Sequence, residues 1–108
     1  MEIKCPAFGL PLRIKDQYMC QVQHQMACCP GTEWCDLFCY HHDDAEDRMG
    51  GAVCWRIWRC DAYWQVMLER LRIMADCLME DHEPSRQDIP LRPAMPVVRV
   101  KKILEIDG

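Results

Sequence analysis

The chain has no run of about eighteen apolar residues, which leaves no candidate for a membrane-spanning helix and no membrane partner. Its opening residues, Met1-Glu2-Ile3-Lys4-Cys5-Pro6, lack the apolar stretch of a secretory leader, so the expectation is a chain kept in the cytoplasm. Positive charge is not in excess. Thirteen Lys and Arg face seventeen Asp and Glu, for a net charge of −4, which argues against a surface coated in basic groups. Internal repeats are missing too, which excludes a solenoid. What is present is 108 residues, 50% hydrophobic and 28% charged. That is the composition of a single globular domain able to bury roughly two-thirds of its unfolded surface. The unusual figure is nine cysteines. The number is odd and no export signal accompanies it, so the thiols read as reduced, metal-bound or packed.

Along the chain, residues 1–5 read as a strand stopped by Pro6. Residues 6–15 read as an irregular connection carrying Arg13 and Lys15. A helix follows over 16–28, with Asp16 as its N-cap and Tyr18, Val22, Met26 and Cys29 near helical spacing. Cys29-Pro30-Gly31-Thr32 ends it. Residues 33–41 alternate as a strand. An acidic turn over 43–47 leads to Gly50-Gly51, which suits a hairpin. Residues 52–59 read as a strand, with a helix as the alternative. Asp61 then caps an amphipathic helix through about Glu80, whose apolar stripe is Trp64, Met67, Leu68, Leu71, Met74, Ala75 and Leu78. Four of the seven prolines lie between Pro84 and Pro96, an extended arm. A last strand is expected over 97–106.

Cys28, Cys29, Cys35 and Cys39, with His41 and His42, invite a zinc or iron–sulfur reading. Strand geometry opposes it. Side chains four residues apart on a strand are separated by about 13 Å, whereas sulfurs on one tetrahedral zinc lie within about 4 Å of each other. Cys54, Cys60 and Cys77 are far apart in sequence and read as small buried hydrophobes. Neither zinc nor an iron–sulfur cluster is therefore expected. The acidic turn lacks the twelve-residue grammar of a calcium loop and reads as solvated.

Glu2 and Lys4 are separated by one residue on a strand, which points both to the same face. A carboxylate there can hold Mg²⁺, and the neighbouring ammonium can orient a metal-bound water. Phosphodiester hydrolysis needs that combination of charge neutralisation and a positioned nucleophile. A Glu-x-Lys pair alone is expected by chance roughly 0.4 times in a chain of this length, and its bland reading is a charged surface strand.

The surrounding residues carry a resemblance. Met1-Glu2-Ile3-Lys4-Cys5-Pro6 resembles the Leu-Glu-(Ile/Val)-Lys-Cys-Pro stretch of the YqaJ-like viral recombinases, the family of the phage lambda exonuclease. Tyr18 through Ala27 is similar to that family's Tyr-x-x-Gln-(Val/Met)-Gln-His-Gln-Met helix. Gly31 through Tyr40 is similar to its Gly-x-(Glu)-Trp-x-Asp-Phe-x-x-Tyr strand. Ile57 through Tyr63 is similar, more weakly, to a strand ending in Arg-Asp before the last helix. The four stretches occur in the family's order over residues 1 to about 80.

The resemblance implies a mixed α/β fold: part of a restriction-endonuclease-like PD-(D/E)xK core, with a central sheet flanked by helices and lacking its N-terminal part. Residues 1–82 would be the C-terminal portion of an exonuclease domain and 83–108 a Pro-rich arm. The implied activity is Mg²⁺- or Mn²⁺-dependent 5′ to 3′ hydrolysis at duplex DNA ends. Implied partners are a single-strand annealing recombination protein and further copies of the chain, and the implied setting is a phage or prophage in a bacterial cytoplasm. On matching positions Glu2 would be a metal ligand, Lys4 would position the attacking water and Gln21 would support the lysine. Gln25, one helical turn beyond Gln21, is a second supporting residue, while Gln23 points elsewhere. Arg13 and Lys15 are candidate phosphate contacts, with a solvated loop as the equal alternative. Cys28, Cys35 and Cys39 fall at positions of a packed helix and strand.

The family places an aspartate ligand about ten residues before the glutamate, a position that precedes Met1. The sheet would then have an open edge at residues 2–5. The expectation is a fragment of a phage exonuclease that is inactive as this isolated chain. The alternatives are a non-catalytic DNA-binding or regulatory subunit of a recombinase and, less favoured, a small zinc-binding module.

Overall fold

The computed structural model describes residues 1–6, 13–43, 46, 48–83 and 94–107. They form β1 (Glu2–Lys4), α1 (Asp16–Ala27), β2 (Trp34–Asp43), β3 (Arg48–Trp58), α2 (Asp61–Met79) and β4 (Val100–Asp107). The architecture is mixed α/β, with two helices and one four-stranded sheet in the order β1-β2-β3-β4. β1 runs parallel to β2, and the other two pairings are antiparallel. A parallel neighbour requires a crossover, which α1 supplies. The chain divides into two units, Met1–Arg59 with Val98–Gly108, and Cys60–Val97.

In the first unit, β2 alternates as its sequence pattern requires. Cys35, Leu37 and Cys39 are buried, while Trp34, Asp36, Phe38 and Tyr40 point to the other face. The buried set packs with Val53, Trp55 and Ile57 of β3 and with Val22 and Met26 of α1. Tyr18, Met19, Ile14 and Val98 border this core. Tyr18, Val22 and Met26 of the expected α1 stripe therefore face the sheet. Cys29 does not: it lies past the helix end and is exposed, as is Cys28. Packing accounts for Cys35, Cys39, Cys54 and Cys77 and not for these two, which corrects the placement of Cys28 in a packed helix.

Several boundaries differ from expectation. The N-cap of α1 is Lys15, with extended backbone, and Asp16 lies in the first turn. Likewise Cys60 caps α2 and Asp61 lies inside it. Both aspartates still act on the helix through their charge, since carboxylates stabilise the positive N-terminal end of the dipole. Gly50 and Gly51 are not a hairpin turn but part of β3, which starts at Arg48. Gly51 has φ 141° and pairs with His41, where the β2–β3 register shifts. A glycine in a strand commonly marks such a bulge, because it accepts backbone angles closed to other residues. The acidic turn falls partly outside the described residues, as does most of the Pro-rich arm. Beyond it, the last expected strand forms as β4.

In the second unit, the shielded face of α2 is rotated from the expected stripe. Tyr63 and Cys77 are buried and Trp64, Val66, Met67, Leu68 and Ile73 half-buried, whereas Leu71 and Leu78 are 46% and 77% exposed. The helix carries two overlapping apolar stripes, and hydropathy alone does not choose between them. Among the described residues, no helix is long and apolar enough to cross a membrane.

Candidate functional site

The site is built where α1 crosses β1. Alternation puts Glu2 and Lys4 on the α1 side of the sheet and Ile3, 59% exposed, on the other. Helical spacing puts Tyr18, Gln21 and Gln25 on one face of α1. The two sets meet. Lys4 Nζ donates to Gln21 Oε1 at 2.6 Å and pairs with Glu2 Oε1 at 3.2 Å. Gln25 Nε2 donates to Glu2 Oε2 at 2.9 Å. Both amide orientations follow from the chemistry, since an ammonium only donates and a carboxylate only accepts.

These contacts set the electrostatics. The Gln25 hydrogen bond first, and then Lys4, hold the Glu2 carboxyl below the usual carboxylate range. Glu2 is therefore an anion at neutral pH. Its side chain is 21% exposed and that of Lys4 22%, so the pair is sheltered but open to small ligands. A cavity of about 410 Å³ adjoins Glu2 and Gln25, with Met26, Cys29 and Thr32 among its walls.

The four residues named from the sequence as the chemical core, Glu2, Lys4, Gln21 and Gln25, are thus brought into one contact chain. Of the two candidate phosphate contacts, Lys15 lies near the site: its Nζ is 5.6 Å from the Tyr18 ring centroid, and Lys4 Nζ is 5.2 Å from the same ring. Arg13 is exposed.

Three supporting roles escaped the sequence reading, those of Tyr18, Gln23 and Arg59. Tyr18 was legible only as core, yet its ring serves both ammonium groups by cation–π attraction. Its spacing of three from Gln21 is the signal that places it on the site face. Gln23, 1% exposed, donates from Nε2 to the Trp58 carbonyl at 3.0 Å, which anchors α1 to the end of β3. Just past the end of β3, Arg59 Nη1 donates to the carbonyls of Met26 at 3.1 Å and Thr32 at 3.4 Å. Carbonyls in the last turn of a helix lack intrahelical partners; that of Met26 accepts from the Cys29 amide at 3.1 Å as well as from Arg59.

Chemically, the arrangement offers a carboxylate for a hard cation, an ammonium held between two oxygen acceptors, and amide groups that can donate or accept without adding charge. Compared with known proteins, the chain matches no family model, no curated protein and no solved structure.

Proposed function

We propose that the chain carries one side of a divalent-metal phosphodiester hydrolase site on a partial restriction-endonuclease-like core, as in the YqaJ-like viral recombinases it resembles. The substrate of this reading is a duplex DNA end, degraded 5′ to 3′. The observation that carries it is Lys4 held between Glu2 and Gln21, with Gln25 on the second carboxylate oxygen. A merely solvated charged strand gives no reason for two helix amides to converge on the same pair.

The donor set fits a loosely held hard cation. Mg²⁺ is commonly bound through one or two carboxylates, with water and substrate phosphate completing its shell. Glu2 would be that carboxylate. When bound, Mg²⁺ or Mn²⁺ would neutralise charge on the scissile phosphate. Gln21 and the Tyr18 ring restrain Lys4, so its remaining N–H donors have a fixed direction in which to orient a water or a phosphate oxygen. Gln25 keeps Glu2 ionised and fixes its rotamer.

A single carboxylate leaves the ion mostly water-bound. In Mg²⁺ the purified chain is therefore expected to release no nucleotides from linear duplex DNA. Mn²⁺ titration followed by NMR tests the site itself. Paramagnetic broadening is expected first at Glu2, Lys4 and Gln25, and Glu2→Gln should abolish it. Broadening centred elsewhere, or undiminished in Glu2→Gln, would overturn the reading.

A further inference from the structure

The face of the sheet opposite Glu2 and Lys4 carries a different chemistry. Register places Trp34 beside Trp58 and Asp36 beside Arg56, and Arg56 beside Lys101. The Trp58 amide donates to the Arg99 carbonyl at 3.0 Å, which carries the ladder one residue beyond β4. Two rows thus cross the strands, Trp34–Trp58–Arg99 and Asp36–Arg56–Lys101. Each indole has a guanidinium over it: Arg56 lies 5.1 Å from the Trp34 ring centroid and Arg99 3.9 Å from that of Trp58. Trp34 is 46% exposed, Trp58 half-buried, and Arg99 and Lys101 exposed.

We propose that this corner of the sheet binds single-stranded DNA, with bases stacked on the arginine–indole layers at Trp34 and Trp58 and phosphates on Arg99 and Lys101. Three cations stand against one carboxylate here, in a chain whose net charge is −4, so the charge is concentrated against the general trend. Aromatic side chains interleaved with cations are the recurring platform for single strands, because every base has a stacking face and every linkage a charge. Arg99, over the Trp58 ring, meets the indole with its π face and keeps its in-plane donors for a phosphate. Asp36 is neutralised by a two-point contact, Oδ1 from Arg56 Nε at 2.9 Å and Oδ2 from Arg56 Nη2 at 3.0 Å. That contact engages both carboxylate oxygens and offsets the Asp36 charge beside the phosphate sites. Register puts the two rows on the face opposite Glu2, although Trp34 at the sheet's end also reaches the cavity beside Glu2; the stacking and phosphate contacts proposed here do not use the hydrolase residues.

Titration of the whole chain with an oligothymidylate of about twelve nucleotides, at low salt, reads this out by tryptophan fluorescence and anisotropy. Saturable quenching is expected. Trp34→Ala and Trp58→Ala should each weaken binding about tenfold. Arg99→Glu and Lys101→Glu, at exposed positions that leave the core intact, should each weaken it and each lower the salt slope by roughly 0.7. Lys102→Glu, on the opposite face over Trp55, should change binding little. The proposal is overturned by an absence of saturable quenching, by equal affinity in Arg99→Glu and Lys101→Glu, or by tighter binding of the matching RNA or of a duplex.

Discussion

Two carboxylates, Glu2 and Asp36, are held as anions by specific donors, and both make stability depend on pH in the same direction. The Gln25 amide and then Lys4 lower the Glu2 pKa, and the Arg56 hydrogen bonds lower that of Asp36. A depressed carboxyl pKa in the folded state means that the unfolded chain binds the proton more readily. The stabilisation is complete above the ordinary carboxylate range and is lost as pH falls through it, below about pH 4. Urea midpoints measured from pH 6 downward should therefore fall less steeply in Glu2→Gln and in Asp36→Asn than in the parent chain. Parallel curves would rule the linkage out. Burial acts the other way on thiols. It pushes Cys39 and Cys54 up, so at neutral pH both remain thiols and behave as small hydrophobes.

Among the elements, α1 carries the most, because one helix serves both core and site. Val22 and Met26 face the sheet, Gln21 and Gln25 face β1, and Gln23 ties the helix to Trp58. Gln23→Ala leaves a part-buried carbonyl without that donor, which costs about 1–3 kcal/mol. Chemical denaturation should show that loss, and a change within a few tenths would mean water replaces the amide. The glutamines show how far a sequence carries. Spacing alone separates Gln21 and Gln25 from Gln23, since residues four apart share a helix face and residues two apart do not. Which face meets β1 is not in the spacing. Nor is the destination of Gln23, whose partner is thirty-five residues away. The same ambiguity displaced the expected stripe of α2, where two apolar faces overlap and burial selects the one through Tyr63 and Cys77.

For the whole molecule, stability rests on one sheet with α1 packed against it. Leu37, at 0% exposure, pairs with Trp55 of β3 and Glu2 of β1 and lies in the core under α1. Leu37→Ala should destabilise the chain by about 2–5 kcal/mol, a large share of the roughly 5–15 kcal/mol available to a domain. A loss under about 1 kcal/mol would mean that the core collapses around the cavity. At one edge, β1 pairs with β2 alone among the described residues.

Local signals determined the elements and their order: two-residue alternation in β2 and β3, helical spacing in α1, and Pro-Gly punctuation at residues 30–31. They also determined that Glu2 and Lys4 share one face and Gln21 and Gln25 another, because side-chain direction follows from backbone periodicity. Only the tertiary structure decided that those two faces meet, that Tyr18 holds the ammonium groups and that Arg56 and Arg99 lie on Trp34 and Trp58. Apart from Lys15 and Tyr18, neighbours on one helix turn, those contacts join residues from 14 to 41 positions apart. No local pattern encodes the long-range pairings, because they arise from packing α1 against the sheet and from pairing β2, β3 and the residues leading into β4 within it.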